Sequence, residues 1–554
     1  MTKLDPLRRL EGVPVLRCIP AMAGRTSAAV PVLACVVGCL TAVTSLSVGL
    51  SHAADTDAWF LLASGRQVIE SGIPTLNPWS LEGGLGIVVQ QWLHDVWLYA
   101  AYLAGGFPAV SASLLVPATL WLAALLWLCR EAAGRRIPAY VSLALVGIAC
   151  ALCSSWVTVR PTLWTMALSC ACAASAMRWA RTRGVVWLIL PPLAVAIHAN
   201  LHASMAWLDL FVVACAAVPA TPGGAREALA DPRHFLGSRL PIAACLAAMA
   251  LAMLANPYGL DGALYLFRGY GVATYHDLIR ELRHPWEVSV YLFVVWLLST
   301  VVMPVALCVR AGRVPPLPLV AWAAAGTVTG FSAIRNLWIS VLPAIAIMAW
   351  AWAEGETREE AWSALASRLR LTKGGLPGPA STGVAIAAPI TISLALAIAT
   401  ASTGGLATPS DTQGFTHLEY SSTWSYMPEQ AGPLIDMVRE EGGEQRVCAY
   451  IVVNNYMEWI GMPVMLDARP EIWEPAITGD QRSRYLDYAD IYEHGGGSGT
   501  PDIDVGALRR YVDDYDVGWL IFGREVDPGA GYEQVAETDE YVLWRVGGLG
   551  TDPA

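Results

Sequence analysis

The sequence predicts a polytopic α-helical membrane protein of about eleven spans that ends in a small α/β domain. Three observations predict it. The 554 residues are 55% hydrophobic and only 15% charged, whereas soluble domains carry nearer a quarter charged residues. Apolar runs near bilayer length recur as far as residue 402. The charge is also split. From Ser410 onward, 27 Asp and Glu face nine Lys and Arg, a balance of −18, which leaves the preceding part at +7 of the chain's −11. An acidic tail is a poor nucleic-acid binder. Of the 12 cysteines, the tail holds only Cys448, which argues against disulfide stapling.

Residues 1–27 carry Lys3, Arg8, Arg9, Arg17 and Arg25. They read as a cytoplasmic segment ahead of an uncleaved anchor over 28–49. Further apolar runs follow at 108–130, 138–157, 161–177, 185–199, 203–219, 239–255, 288–309, 315–333, 337–353 and 381–402. Linkers rich in Lys and Arg alternate with linkers poor in them. Arg130, Arg178, Arg181, Arg183, Arg310, Arg313 and Arg358 fall on the cytoplasmic side. The connections near Arg160, His198–His202 and Arg335, and the longer one at 256–287, fall outside.

The first outer loop, 50–107, holds two helices. As a helix, 91–104 is only about 21 Å long, too short for a core of roughly 30 Å. Its aromatic residues suit the membrane surface, and 57–71 reads as a second surface helix, with Trp59 and Phe60 toward the membrane. The transmembrane part therefore covers 28–405, and an extracytoplasmic α/β domain covers 410–554. In that domain "RVCAYIVV", "MPVMLDAR", "VGWLIFG" and "EYVLWRV" read as strands. "SRYLDYADIYEH" and "DVGALRRYVDDY" read as helices, and "HGGGSGTPD" reads as a loop without the lysine of a phosphate-binding motif.

Ionisable residues at membrane depth or in outward pockets are functional candidates, and here they gather on the outer side. The set is Asp55, Asp57, Gln91, His94, Asp95, Arg160, His198, Asn200, His202, Tyr258, His276, Asp277, Glu287 and Arg335. For "DTDAW" the simplest reading is a helix cap. A DxD pair also suits a divalent cation with a nucleotide-sugar, but nucleotide-sugars are cytoplasmic. His198 and His202 stand at the i, i+4 spacing of a metal pair, with substrate or structural hydrogen bonding as the alternative. Arg160 and Arg335 suit either lipid headgroups or a phosphate.

The order of an anchor helix, "DTDAWFLLASGRQVIESGIPTLNPWS", "QQWL", "RPTL", "HANLH", "NPYG" and "IRNLW" resembles the bacterial multi-spanning glycosyltransferases of the GT-C superfamily, akin to protein mannosyltransferases and lipid A aminoarabinose transferases. "VVNNYMEWIGMPVMLDARPEIW" resembles the tail of uncharacterised members. The resemblance implies a hexosyl transfer in the bacterial cell membrane, from a polyprenyl-phosphate sugar to an outer lipid, glycan or protein acceptor. It implies Asp57 as the general base, with Asp55 supporting. Donor and substrate contacts would fall to Gln91, His94, Asp95, Arg160, His198, Asn200, His202, Tyr258 and Arg335. No metal ligand is assigned, although a divalent cation is compatible with the resemblance. Three positions depart from the pattern: Gln91 stands for Glu, His198 for Trp, and Ala203-Ser204 for a glycine pair. The competing readings are a flippase for lipid-linked saccharide, which needs polar residues through the membrane depth, and a non-catalytic envelope-assembly protein.

Overall fold

The structure is a computed structural model that describes residues 29–51, 57–134, 137–269, 279–368, 428–442, 446–492 and 503–547. The expectations for residues 1–27, Asp55, His276, Asp277, the run 381–402 and the loop at 494–502 lie outside the described residues. Each of the other apolar runs is helical. The helices are α1 (Ala29–Ser51), α2 (Ala58–Ser71), α3 (Trp92–Ser113), α4 (Leu115–Ala133), α5 (Ala139–Cys153), α6 (Thr162–Thr182), α7 (Leu190–Leu201) and α8 (Ala206–Cys215). After them come α9 (Pro222–Ala230), α10 (Pro232–Ala252), α11 (Val290–Leu297), α12 (Met303–Ala311), α13 (Leu317–Ser332) and α14 (Trp338–Arg368). A five-residue π turn joins α11 to α12. Among the described residues, six helical stretches are long and apolar enough to cross a membrane, and three apolar helices are shorter.

Burial sorts the helices. The apolar stretch Ile334–Gly355 is buried along nearly all its length, so α14 is the post around which others pack. On α1, Val32, Leu33, Val36, Leu40 and Val43 stay exposed, as do Leu236, Leu240 and Leu251 on α10. Rows of exposed large apolar side chains this long mark a surface meant for lipid.

Close helix approaches rest on small residues, as in membrane bundles. A Cβ on Gly38 of α1 would sit 2.6 Å from the Leu143 carbonyl oxygen, and one on Gly147 of α5 would sit 2.8 Å from the Gly38 carbonyl. Gly65 does the same for α2 and α3: a Cβ there would run into the Asp95 carbonyl and lie 2.8 Å from Tyr99 Cβ. Gly65→Ala is therefore expected to destabilise the protein by about 1–3 kcal/mol, the usual cost of overpacking. A thermal melt of the purified protein in detergent checks this, and an unchanged midpoint would refute the close approach.

The helix that starts at Trp92 breaks at Gly105-Gly106, directly after the end the sequence places at 104. α3 continues to Ser113 through a break at Gly105-Gly106, where Gly106 takes φ 65°, open to glycine. The apolar stretch Trp92–Ala133 of 42 residues is thus divided by this break. Its first half packs on α2 through buried His94, Asp95, Leu98 and Tyr99. Trp59 is not membrane-facing: it is 4% exposed. Its ring meets Phe107 at 5.2 Å, Tyr456 at 5.2 Å and Trp459 at 5.6 Å. Burying so large a ring in a protein seam satisfies it as well as lipid does.

The tail is an α/β unit. Its four-stranded sheet has the order β1-β2-β4-β3, with β1 (Val447–Ala449), β2 (Trp519–Gly523), β3 (Tyr532–Glu537) and β4 (Tyr541–Val546). β1 and β2 run parallel, and the other pairs are antiparallel. The strands "VGWLIFG" and "EYVLWRV" form. "RVCAYIVV" is a strand only to Ala449, because Ile451–Trp459 turns helical to lay Tyr456 and Trp459 on Trp59. Packing overrides the β preference of Ile-Val-Val. "MPVMLDAR" is not a strand of this sheet. Val464 bridges Ser80 of the first loop instead. Asp467 then turns the chain by accepting from Arg469 N–H at 2.8 Å. "DVGALRRYVDDY" forms the helix Val505–Asp514, and "SRYLDYADIYEH" forms only Arg484–Ala489.

The tail sits on the end of the bundle that holds Asp57. Arg446 and Arg484 both reach Glu82 of the first loop, at 3.2 and 2.8 Å. At the other end, buried Glu131 pairs with Arg178 and Arg181.

Candidate functional site

Five connections meet at the Asp57 end. They are the start of α2, the turn Val159–Pro161 before α6, His202 at the close of α7, the segment 279–284, and the turn Ile334–Asn336 before α14. Direct bonds lace them together. Ile334 N–H donates to the Arg283 carbonyl at 3.0 Å. Trp156 Nε1 donates to the Arg335 carbonyl at 3.0 Å.

Asp57 occupies the N-cap position of α2 but makes no capping bond with its side chain. The carboxylate turns to Arg160 instead, with Oδ2 2.8 Å from Nε. The same guanidinium reaches Glu281 through Nη1 at 2.9 Å. One planar cation thus bridges two carboxylates from separate loops, which arginine's fork allows and lysine's point charge does not. Arg160 and Arg335 hold the Glu281 carboxyl below its ordinary value, with Arg160 the larger influence. The Asp57 and Arg160 side chains keep 18% and 28% exposure, so the pair stays reachable.

Beside it stands a buried polar chain. His202 Nδ1 lies 2.9 Å from Thr165 Oγ1, which lies 2.9 Å from His198 Nε2. His198 Nδ1 meets Asp209 Oδ2 at 2.8 Å, and Ser169 donates to Asp209 Oδ1 at 2.5 Å. Thr165 therefore separates the two histidines, and no metal pair forms between them. Burial, followed by the neighbouring His198, His94, Arg335 and Arg160, holds His202 well below the usual imidazole range. His202 is neutral at physiological pH.

Other candidates hold the scaffold. His94 donates from Nε2 to the Val159 carbonyl at 2.5 Å, which pins the turn that carries Arg160. Asn200 accepts from Trp92 Nε1 at 2.9 Å and donates to the carbonyls of Ala196 and Ala255. Tyr258 donates to the Pro74 carbonyl at 2.8 Å. Gln91 caps α3, its carbonyl accepting from Asp95 N–H at 3.0 Å. Asp95 is buried within electrostatic reach of Arg469, on the tail side. Glu287 bonds back to His284 N–H at 3.0 Å as a cap.

The sequence reading missed Glu281, Thr165, Asp209 and the roof. Asp209, an acid inside an apolar run, carried a legible signal; Thr165 carried none. The roof is Tyr485 of the tail. Burial, then the carboxylates of Asp57, Glu471, Asp467 and Glu281, push its phenol up. Below it Arg469 donates to Glu458 Oε1 at 2.7 Å and to Asp467 Oδ2, while Trp473 Nε1 donates to Asp467 Oδ1 at 3.1 Å. Arg469 also lies over the rings of Trp79 and Phe60, at 4.9 and 5.4 Å. The tail is thereby pinned to the helix that bears Asp57.

No family model and no curated protein matches the sequence. The fold does match solved structures. The oligosaccharyltransferase AglB of Archaeoglobus fulgidus, solved with an inhibitory peptide and a dolichol-phosphate, gives a TM-score of 0.55 over 88% of this chain and 69% of its own, at 9% identity. The same enzyme solved with zinc and sulfate gives 0.50 over 88% and 68%, at 11% identity. The arabinofuranosyltransferase AftD from Mycobacteria gives 0.50 at 17% identity, over 92% of this chain and 41% of its own longer one. Likeness at this identity is likeness of fold. The chain has the GT-C fold, built from a bundle of apolar helices with a small α/β tail on one end.

Proposed function

We propose that the protein is an integral-membrane glycosyltransferase that moves a hexosyl unit from a polyprenyl phosphate to an extracytoplasmic acceptor hydroxyl, with Asp57 as general base. The observation that carries this reading is the Asp57 carboxylate. It leaves its helix uncapped and is held by Arg160 where five connections converge. The dolichol-phosphate bound to AglB, an isoprenoid phosphate on the same fold, supports the donor class. The basic cluster around Glu131 at the opposite end supports a cytoplasmic placement of that end in a bacterial plasma membrane. On this placement the N-terminus is cytoplasmic, and the cleft and tail face outward.

The chemistry follows from the arrangement. The acceptor oxygen bonds to the anomeric carbon while the bond from that carbon to the phosphate oxygen breaks. The acceptor proton passes to the Asp57 carboxylate. Charge collects on the departing polyprenyl phosphate, and Arg160 and Arg335 are the cations placed to receive it. For this, Arg160 exchanges one anion for another as the donor phosphate binds, which frees Asp57 before the proton passes.

Zinc in an AglB structure raises a divalent cation for this fold. Among the described residues no three His, Cys, Asp or Glu gather into a metal-binding group. A guanidinium already stands between Asp57 and Glu281. The described residues alone do not fit such an ion, and no step above uses one.

Labelled polyprenyl-phosphate sugar given to membranes with wild type or Asp57→Asn tests the reading. Loss of a general base is expected to slow transfer about 10²–10⁴-fold. Equal transfer by both proteins would remove Asp57 from the role.

A further inference from the structure

α6 runs from the turn that carries Arg160 to the opposite end of the bundle, and it closes there on Arg183. Arg183 takes φ 56° and ψ 14°, the left-handed conformation, and its N–H donates to the Trp179 carbonyl at 2.7 Å. That position favours glycine, yet Gly184 comes one residue too late to fill it. A side chain there strains the backbone, and strain that a fold keeps points to a use for the side chain. The Arg183 guanidinium lies over the Trp179 ring at 5.0 Å. Arg239 of α10 lies in the same way over Phe235, at 5.2 Å. The short turn Val185–Leu188 ties the two helices together. Ser175 of α6 donates to the Trp187 carbonyl, and the Cys245 thiol of α10 donates to the Leu188 carbonyl at 3.4 Å. The two guanidiniums come within electrostatic reach of each other.

No acid offsets this pair. The nearby Glu131 is taken by Arg178 and Arg181. Among the described residues neither Arg183 nor Arg239 makes an ion pair or a side-chain hydrogen bond, and Arg239 Nε is buried with no acceptor. Each aromatic ring holds a guanidinium by its face, which leaves the N–H edge for an anion. Exposed apolar side chains flank the pair: Val185 and Val186 follow Arg183, and Leu236 and Leu240 bracket Arg239. We infer that Arg183 and Arg239 form a binding site for the phosphate of an anionic phospholipid, in the leaflet at the end opposite Asp57. Two guanidinium forks without a counter-ion match a phosphate. The apolar side chains on both sides suit acyl chains, which a free phosphate lacks. A zwitterionic lipid brings its own cation and gains less. Basic pockets between spans hold headgroups by this means. The site is separate from Asp57 and stands whether or not the protein transfers sugar.

Native mass spectrometry of the full chain in detergent tests this, with phosphatidylglycerol and phosphatidylcholine of the same acyl chains as probes. Wild type is expected to hold phosphatidylglycerol more tightly than phosphatidylcholine. Arg183→Gly and Arg239→Gln are each expected to weaken phosphatidylglycerol about fivefold and to leave phosphatidylcholine unchanged. Arg226→Gln removes an exposed arginine of α9, just before α10, and is expected to bind as wild type does. Equal hold on the two lipids by wild type overturns the inference. So does a loss in Arg226→Gln as large as that in Arg183→Gly, which would mean diffuse attraction to charge only. Complete displacement of the lipid by inorganic phosphate overturns it too, because the apolar side chains would then add nothing. The fold is checked apart from the lipid. Glycine relieves the left-handed position, so Arg183→Gly is expected to melt in lipid-free detergent no lower than wild type. A lower midpoint would mean that Arg183 serves the fold, and would also overturn the inference.

Discussion

Arg160→Gln is expected to lower kcat/KM for the lipid-linked donor by about a hundredfold or more, within the range that a single charge-stabilising group contributes. Two losses combine. The departing phosphate loses a cation, and Asp57 and Glu281 lose the guanidinium that bridges them. Arg160→Lys keeps the charge but cannot present Nε to one carboxylate and Nη1 to the other, so it should fall between the two. Steady-state kinetics with varied donor separates the contributions: phosphate binding enters KM, and stabilisation of the leaving group enters kcat. Unchanged values of both would leave Arg160 as a purely structural residue. The same substitution moves the acid limit. The Glu281 carboxyl is held below its ordinary value of 4.5, chiefly by Arg160. A depressed folded value gives stability that is present above the unfolded value and lost as pH falls through the folded one. In wild type Glu281 therefore stays ionised to below the ordinary carboxylate range, and in Arg160→Gln its protonation moves to higher pH.

Arg469→Leu is expected to cost about 3–5 kcal/mol, the penalty for breaking a buried ion pair by removing one partner. Glu458 and Asp467 are both fully buried, and Arg469 is the cation between them. Burial, with Asp467 adding to it, pushes Glu458 well above the ordinary range, and Arg469 is the influence pulling it back. The two rings beneath the guanidinium would lose their partner as well. The checks are a fall in the melting midpoint and faster proteolysis of the tail in membranes where wild type resists. A tail as resistant as wild type would mean that the seam does not depend on this residue.

The helices were legible because lipid imposes one rule on them: each span must be apolar and must satisfy its backbone internally. The runs at 138–157 and 337–353 needed nothing else. Legibility failed where tertiary contacts decide. Ile451-Val452-Val453 has the composition of a strand, yet it is helical because Trp59 needs Tyr456 and Trp459 above it. β3 escaped notice as a polar edge strand with no apolar alternation. At the site, Asp57, Arg160, His202 and Arg335 could be named because ionisable residues at membrane depth or in outward pockets stand out from apolar runs, and the family resemblance picked Asp57 among them. Their partners could not. Glu281 sits among several charged residues of one loop, and Thr165 looks like any small residue of a helix. Only the folded chain shows that Glu281 completes a bridge and that Thr165 joins two histidines.

Gly65 has a mechanical consequence for the whole cleft. It lets α2 rest directly on the backbone of α3, while Trp59 is gripped from the other side by the tail. The helix that carries Asp57 is thus held in a vice, and tightly packed elements are the last to open. Glu281, on the facing turn, keeps a half-exposed side chain. The cleft therefore has one jaw fixed by packing on both faces. Its geometry is set from the Asp57 side, before anything enters it.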